Sequence, residues 1–200
     1  FSPLMEIDLC GHATLAAAHI YFTEINRDAD SITFISSKNG SLEVTKKNNY
    51  LYLNFPVDLY EPISIDNDLI NMLGETPIKA FKGRDDIMCI FADEATIYNI
   101  EPNKDLLKLF PVRGLIVSAK SSDYDFVSRC FFPITGVDED PVTGSAHTTL
   151  TPYWSKQLRK NSLLAKQVSS RGGELKCVLE GDRVIIGGEA VTYLNGFITI

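Results

Sequence analysis

Short runs of apolar, β-branched and aromatic residues recur along the chain and are separated by turn residues. Within several runs apolar and polar residues alternate, and a period of two is typical of half-buried β-strands. The first three runs, at 32–35, 42–44 and 50–55, are joined by short polar turns, which predicts a β-meander. Further strands are predicted at 88–91, 114–118, 126–132, 177–179 and 183–186.

Helical patterns are fewer, and helices are predicted at 11–22, 67–73, 104–110 and 146–160. The last is expected to bend or restart at Pro152, since proline has no N–H to donate within a helix. Many strands with few helices indicate an α+β fold. A Pro-containing polar connector at 56–62 predicts two domains, a first of 1–57 plus 190–200 and a second of 58–189.

Composition excludes several classes of partner. The chain carries a net charge of −7 without a Lys/Arg stripe, so nucleic acid is not an expected partner. The longest strongly apolar stretch, 14–22, is about half of the roughly 20 residues that span a bilayer, so no membrane span is predicted. The four cysteines lie far apart and no histidines stand at metal-ligand spacing. This pattern predicts a reduced, cytoplasmic protein without a metal site.

Two segments at the start of predicted helices have similar sequences. Cys10-Gly11-His12-Ala13 and Thr143-Gly144-Ser145-Ala146 each place glycine, a polar residue and alanine before an apolar helical stretch. Glycine lets the backbone approach a ligand closely, and the free N–H groups at a helix start attract an anion. If the two starts face each other, they form a clamp for a carboxylate.

An acidic cluster, Asp138-Glu139-Asp140, precedes the second of these helices. Pro141 biases Asp140 toward an extended conformation, which allows its side chain to point into a site. Crowded carboxylates tend to include one with a raised pKa, a property suited to taking and giving a proton near neutral pH. Asp140 is therefore a candidate for proton transfer.

These two motifs carry a family resemblance. EIDLCGHATLA at 6–16, preceded by FSP at 1–3, resembles the first signature of the PhzF-like phenazine-biosynthesis family, and DEDPVTGSA at 138–146 resembles the second. The last strands, from 184 to 200, are also similar. The resemblance implies a diaminopimelate-epimerase-like fold of two pseudo-symmetric domains, each a barrel-like mixed sheet around a central helix, with the active site in the cleft between them. It also implies an isomerase that relocates a proton on a small carboxylate-bearing metabolite without a cofactor.

Carried onto this sequence, the family's polar site residues are His12, Asp140 and Ser145, and Gly11 and Gly144 offer backbone N–H groups. The family's principal acid/base glutamate lies in an N-terminal Ser-Glu-Thr segment ahead of the region that begins this chain. The first domain is therefore expected to lack its N-terminal portion, and the chain alone is expected to be catalytically silent and to associate through open strand edges. Extended at its start, the protein is expected to be a homodimer.

Other interpretations remain open at this point. Cys10 is either a small packing residue or the thiol of an amino-acid racemase or epimerase, although Thr143 stands where a second thiol would be needed. Glu6 is either structural or a substitute acid/base group. Asp140 and Ser145 could be helix caps. The fold could also bind a metabolite or protein without turnover.

Overall fold

The computed structural model describes residue 4 and residues 10–36 and 40–199. Within these residues, 11 strands form one mixed sheet in the order β1-β2-β3-β11-β10-β9-β8-β7-β6-β5-β4. The β6–β7 and β8–β9 pairs are parallel and the other neighbours are antiparallel. The strands are β1 Ser31–Ser36, β2 Gly40–Lys47, β3 Tyr50–Pro56, β4 Glu61–Pro62, β5 Lys79–Lys82, β6 Asp86–Ile90, β7 Gly114–Lys120, β8 Phe126–Phe131, β9 Ser162–Gln167, β10 Gly173–Glu180 and β11 Arg183–Gly188.

The helices are α1 Gly11–Ile20, α2 Asn67–Leu73, α3 Glu94–Asn99, α4 Lys104–Leu107 and α5 Gly144–Leu158. A π-helical turn, Tyr21–Ile25, extends α1, and a 3-10 turn, Pro133–Thr135, follows β8. The predicted α+β class is confirmed, as are the β-meander of β1 to β3 and the second set of strands. The sequence prediction missed α3, β4, β5 and β9, and α4 is shorter than predicted.

The expected restart at Pro152 is wrong, because α5 continues through this residue as one helix. Pro152 cannot donate to the carbonyl four residues earlier, that of Thr148. The Asp58 N–H donates to this carbonyl instead, at 3.2 Å, and the Thr149 hydroxyl donates to the Asp58 carboxylate at 2.9 Å. A neighbouring segment thus satisfies the carbonyl that proline leaves unpaired.

Two apolar clusters cover opposite faces of the strands near β7. One packs α1 and α5 against β2, β3 and the β8-to-β11 strands, and the other packs α2, α3 and α4 against β5 to β8. Within β7, Ile116 belongs to the first cluster and Val117 to the second, so this strand is buried on both faces. β3 pairs with β11, which makes the sheet continuous across the predicted domain boundary. The division into two domains stays a prediction.

Candidate active site

The starts of α1 and α5 meet at their glycines. A Cβ built on Gly11 would lie 3.0 Å from the Gly144 Cα, and one built on Gly144 would lie 3.1 Å from the Gly11 Cα. The Phe55 ring of β3 packs beside both glycines, 3.4 Å and 3.7 Å from the same two Cβ positions. Only glycine permits this backbone approach. The two helix starts therefore lie together, as the similar glycine motifs in the sequence predicted.

These two starts differ from those of the other helices. The carboxylates of Asp66 and Asp93 cap α2 and α3 by accepting backbone N–H bonds at 2.9 Å, and Asn103 caps α4 in the same way. In the described part of the chain, no side chain caps α1 at Cys10 or α5 at Thr143. The capping interpretation of Asp140 and Ser145 is therefore wrong. The first N–H groups of both helices keep their capacity to bind an anion.

Cys10 and His12 form a thiol–imidazole pair at the start of α1, with Cys10 Sγ 3.5 Å from His12 Nε2. The bond to His12 lowers the pKa of the Cys10 thiol, against the opposing effect of its burial. The same bond raises the pKa of His12, and the Asp140 carboxylate adds a smaller electrostatic effect in the same direction. Cys10 thus has an electrostatic partner at the start of α1. The structure brings His12 and Asp140 near each other without a direct hydrogen bond between them.

The acidic cluster is divided among three separate partners. Asp138 pairs with Lys104 at 2.9 Å, which lowers the pKa of Asp138, and Glu139 pairs with the buried Arg129 at 2.7 Å. Asp140 instead accepts a hydrogen bond from the Thr143 hydroxyl at 2.5 Å. The expectation that one of these crowded carboxylates has a raised pKa stays a prediction. Of the three, Asp140 is the one beside the helix starts.

Arg113 is a site residue that the sequence prediction missed. Its guanidinium donates through Nε to Asp86 Oδ1 at 2.9 Å and through Nη2 to Asp86 Oδ2. Nη2 also donates to Ser145 Oγ at 3.3 Å, and the guanidinium stacks over the Phe132 ring. Burial raises the pKa of Asp86, and Arg113 opposes that shift. Because Ser145 Oγ accepts from Arg113, its own proton is available to another acceptor.

His147 lies behind the site, fully buried on α5. Its Nδ1 donates to the Thr143 carbonyl at 2.8 Å, and burial lowers its pKa to about 4, against the opposing effect of that bond. The imidazole is therefore neutral at pH 7 and supports the backbone at the start of α5.

Three further predictions concern Glu6, a metal site and a membrane span. Glu6 lies outside the described residues. Among the residues described, no group of three or more His, Cys, Asp or Glu side chains is arranged to hold a metal ion. The described helices include none with the length and apolar character needed to cross a bilayer.

The fold defines the class of the protein. A hydroxyproline epimerase from Agrobacterium vitis shares it with a TM-score of 0.54 at 13% identity, over 90% of this chain and 62% of that one. A PhzF-family phenazine biosynthesis protein from Enterococcus faecalis is much more similar, with a TM-score of 0.89 and 45% identity over 94% of this chain and 72% of its own. The fold is thus diaminopimelate-epimerase-like, with a large mixed sheet and few helices, as the resemblance implied.

The sequence gives the family as well. The chain belongs to the PhzC-PhzF family of phenazine biosynthesis-like proteins, which matches residues 1–196. An uncharacterized isomerase from Halalkalibacterium halodurans is 44% identical over 198 residues, which cover 98% of this chain and 75% of that protein. The predicted family membership is confirmed.

Proposed function

We propose that the protein is a cofactor-independent isomerase that moves a proton between carbons of a small carboxylate-bearing metabolite. The observation that carries this proposal is the contact of two uncapped helix starts at Gly11 and Gly144, with His12 and Asp140 beside them. Two sets of free N–H groups can hold one carboxylate, and they can stabilise the enolate charge that develops when the adjacent carbon loses its proton. The relatives named as isomerases agree with the reaction class.

Each polar residue has a distinct role in this proposal. Asp140 binds the substrate and assists the proton transfer. His12, whose pKa is raised, donates a hydrogen bond to the bound anion or carries a proton. Ser145 donates its hydroxyl proton to the substrate, because Arg113 occupies an Oγ lone pair. Gly11 and Gly144 supply backbone N–H groups. The division at 56–62 would then place the substrate between two domains.

The test is incorporation of solvent deuterium into candidate carboxylic acids, followed by mass spectrometry. The family resemblance predicts a catalytically silent chain, whereas the present proposal predicts that the wild-type protein labels at least one member of a panel of amino, hydroxy and unsaturated carboxylic acids in D₂O. Asp140→Asn is expected to abolish labelling. Asp138→Asn is the matched control, because Asp138 is exposed and pairs with Lys104 at the surface. Equal labelling by wild type and Asp140→Asn would refute the assignment of Asp140.

A second candidate is a racemase or epimerase that uses the Cys10 thiolate as its base. The lowered pKa of Cys10 beside His12 favours it. The position just before α5 that corresponds to Cys10 holds Thr143, whose hydroxyl is bound to Asp140, so a second thiol is lacking there. Cys10→Ser separates the two mechanisms, since it is expected to retain labelling if the transfer depends on Asp140 and to lose labelling if Cys10 is the base.

A binding protein without turnover is the third candidate. It predicts that carboxylates raise the melting temperature while none is labelled in D₂O. We also propose that the protein is cytoplasmic, because the described cysteines are free thiols. We further propose that it is a homodimer, because apolar side chains at 191–198 are exposed. Light scattering coupled to size-exclusion chromatography tests the oligomeric state.

A further inference from the structure

The Arg113 guanidinium is held in one orientation directly before β7. The Arg113 N–H donates to the Asp85 carbonyl at 2.7 Å, which fixes the backbone. Nε and Nη2 donate to the two carboxylate oxygens of the buried Asp86, and Cζ lies 5.1 Å from the centroid of the Phe132 ring. A Cβ on Gly114 would overlap that ring, so this glycine lets the ring lie against β7. A two-point ion pair and an aromatic face thus set the plane of the guanidinium.

Ser145, half-buried at the start of α5, lies at the edge of this guanidinium. Arg113 Nη2 donates to Ser145 Oγ at 3.3 Å. A guanidinium has five N–H donors and no acceptor, so Oγ must be the acceptor in this bond. Among the described residues, none accepts a hydrogen bond from Ser145 Oγ. The Ser145 hydroxyl proton is therefore left for a group that binds in the site.

The guanidinium also keeps this proton from the Asp86 carboxylate. A hydroxyl that touches an ionised carboxylate gives its proton to that carboxylate, because charged acceptors form the stronger hydrogen bonds. Arg113 Nη2 donates to both Asp86 Oδ2 and Ser145 Oγ, so it joins the two groups through donors alone. Ser145 thus meets a donor where a carboxylate would otherwise take its proton.

The groups that surround this point are all hydrogen-bond donors. No described side chain caps the first N–H groups of α5, and the Ser145 hydroxyl proton has no acceptor among the described residues. Arg113 Nη1 likewise makes no hydrogen bond to a described residue. A carboxylate oxygen can accept from several of these donors at once, whereas an ammonium group would place donor against donor.

We propose that Arg113, held by Asp86, is a positioning residue that keeps the Ser145 hydroxyl as a hydrogen-bond donor to a carboxylate oxygen of the substrate. The hydroxyl then adds a third kind of donor to the N–H groups of the two helix starts, and its orientation is set before the substrate arrives. This inference rests on the proposed function, since it takes the contact of Gly11 and Gly144 as the place where the carboxylate binds.

The test is a titration of ¹⁵N-labelled protein with malonate at constant ionic strength. In the wild type, malonate is expected to shift the backbone amides of Gly11, Gly144 and Ser145, and the shifts give its dissociation constant. Ser145→Ala is expected to raise that constant about tenfold, because a hydrogen bond to a charged group is lost. Ser145→Thr keeps the hydroxyl and is expected to stay close to wild type.

Arg113→Lys tests the positioning role. It retains a positive charge beside Asp86 but lacks the planar fork that reaches both Asp86 and Ser145. It is expected to raise the dissociation constant about threefold or more, and to add nothing in the Ser145→Ala background, because both changes remove the same bond. Arg27→Lys, at an exposed arginine, is the matched control. If Arg113→Lys does not fold, Arg113→Gln combined with Asp86→Asn removes both charges and takes its place.

Wild-type affinity for malonate in folded Arg113→Lys would overturn the inference, and so would an Arg113→Lys effect of equal size in the Ser145→Ala background, since that effect would not act through the hydroxyl. If malonate moves none of the Gly11, Gly144 and Ser145 amides of the wild type, the carboxylate site of the proposed function fails, and the inference fails with it. If malonate binds as expected but no acid is labelled in D₂O, the proposed isomerase activity fails while the inference stands.

Discussion

Lowering the pH from 7 to 4 is expected to destabilise the protein through His147. This imidazole is fully buried, donates through Nδ1 to the Thr143 carbonyl, and packs at a tilt against the Phe126 ring with centroids 5.8 Å apart. In the described part of the chain, Nε2 has no hydrogen-bond partner. Protonation would place a second donor and a positive charge at that nitrogen. Burial accordingly lowers the pKa of His147 from 6.5 to about 4.

Proton linkage gives the direction and the size of this change in stability. Between pH 6.5 and pH 4 the unfolded chain binds a proton at this residue and the folded protein does not, so stability falls as the pH falls through this window. The folded and unfolded pKa values of His147 differ by roughly 2.5. The free energy of unfolding is therefore expected to fall by about 2 kcal/mol between pH 7 and pH 5, and by about 3 kcal/mol between pH 7 and pH 4. The contribution is fully present above pH 6.5.

Urea unfolding at several pH values measures the free energy directly. The control is His147→Asn, whose side-chain amide nitrogen can take the place of Nδ1 and donate to the Thr143 carbonyl without titrating. Carboxylates contribute to acid unfolding in both proteins, so the difference between the two curves isolates the imidazole. That difference is expected to change by about 3 kcal/mol from pH 7 to pH 4. Parallel curves for the two proteins would refute the reasoning.

Gly144→Ala is expected to destabilise the protein by about 1–3 kcal/mol and to abolish labelling, because its Cβ would meet the facing backbone of α1 at 3.1 Å. Gly196→Ala, with no atom within 4 Å of its Cβ, is expected to be neutral in the same unfolding assay. Arg113→Gln is expected to cost about 3 kcal/mol because it leaves Asp86 buried without a counter-charge, and the double variant with Asp86→Asn should recover part of this loss. Iodoacetamide is expected to alkylate Cys10 first and faster than an ordinary thiol at pH 7, as mass spectrometry of the native protein can show. A Gly144→Ala variant as stable as wild type, additive Arg113 and Asp86 effects, or uniformly slow alkylation would contradict the respective expectation.

Local signals determined the elements that the sequence predicted well. Helix α2 has the predicted bounds because Asp66 caps its start and Gly74, in a left-handed conformation, ends it. The glycine motifs at Gly11 and Gly144 identified the two helix starts from the chain alone. The period-two pattern of β2 and β3, with the short polar turns between the first three runs, likewise predicted the meander. Each of these signals lies within a few residues of the element that it specifies.

Helix α5 shows where local rules fail. Proline is expected to interrupt a helix, but the carbonyl that Pro152 cannot reach is bound by Asp58, from a segment remote in the sequence. β9 was missed because SLLAKQ carries no strong turn or alternation signal, and its pairing with β8 and β10 decides its conformation. The partner strands supply backbone hydrogen bonds that no local sequence signal predicts.

The sequence by itself determined the family, the α+β class and the chemistry available at His12, Asp140 and Ser145. The tertiary structure alone decided which groups surround them. Arg113 reaches Ser145 across 32 positions and Gln167 reaches Thr143 across 24, and neither residue belongs to a motif. The physical reason is that a hydrogen bond needs two groups within about 3 Å, and for residues so far apart in the chain that distance is set by strand order and register.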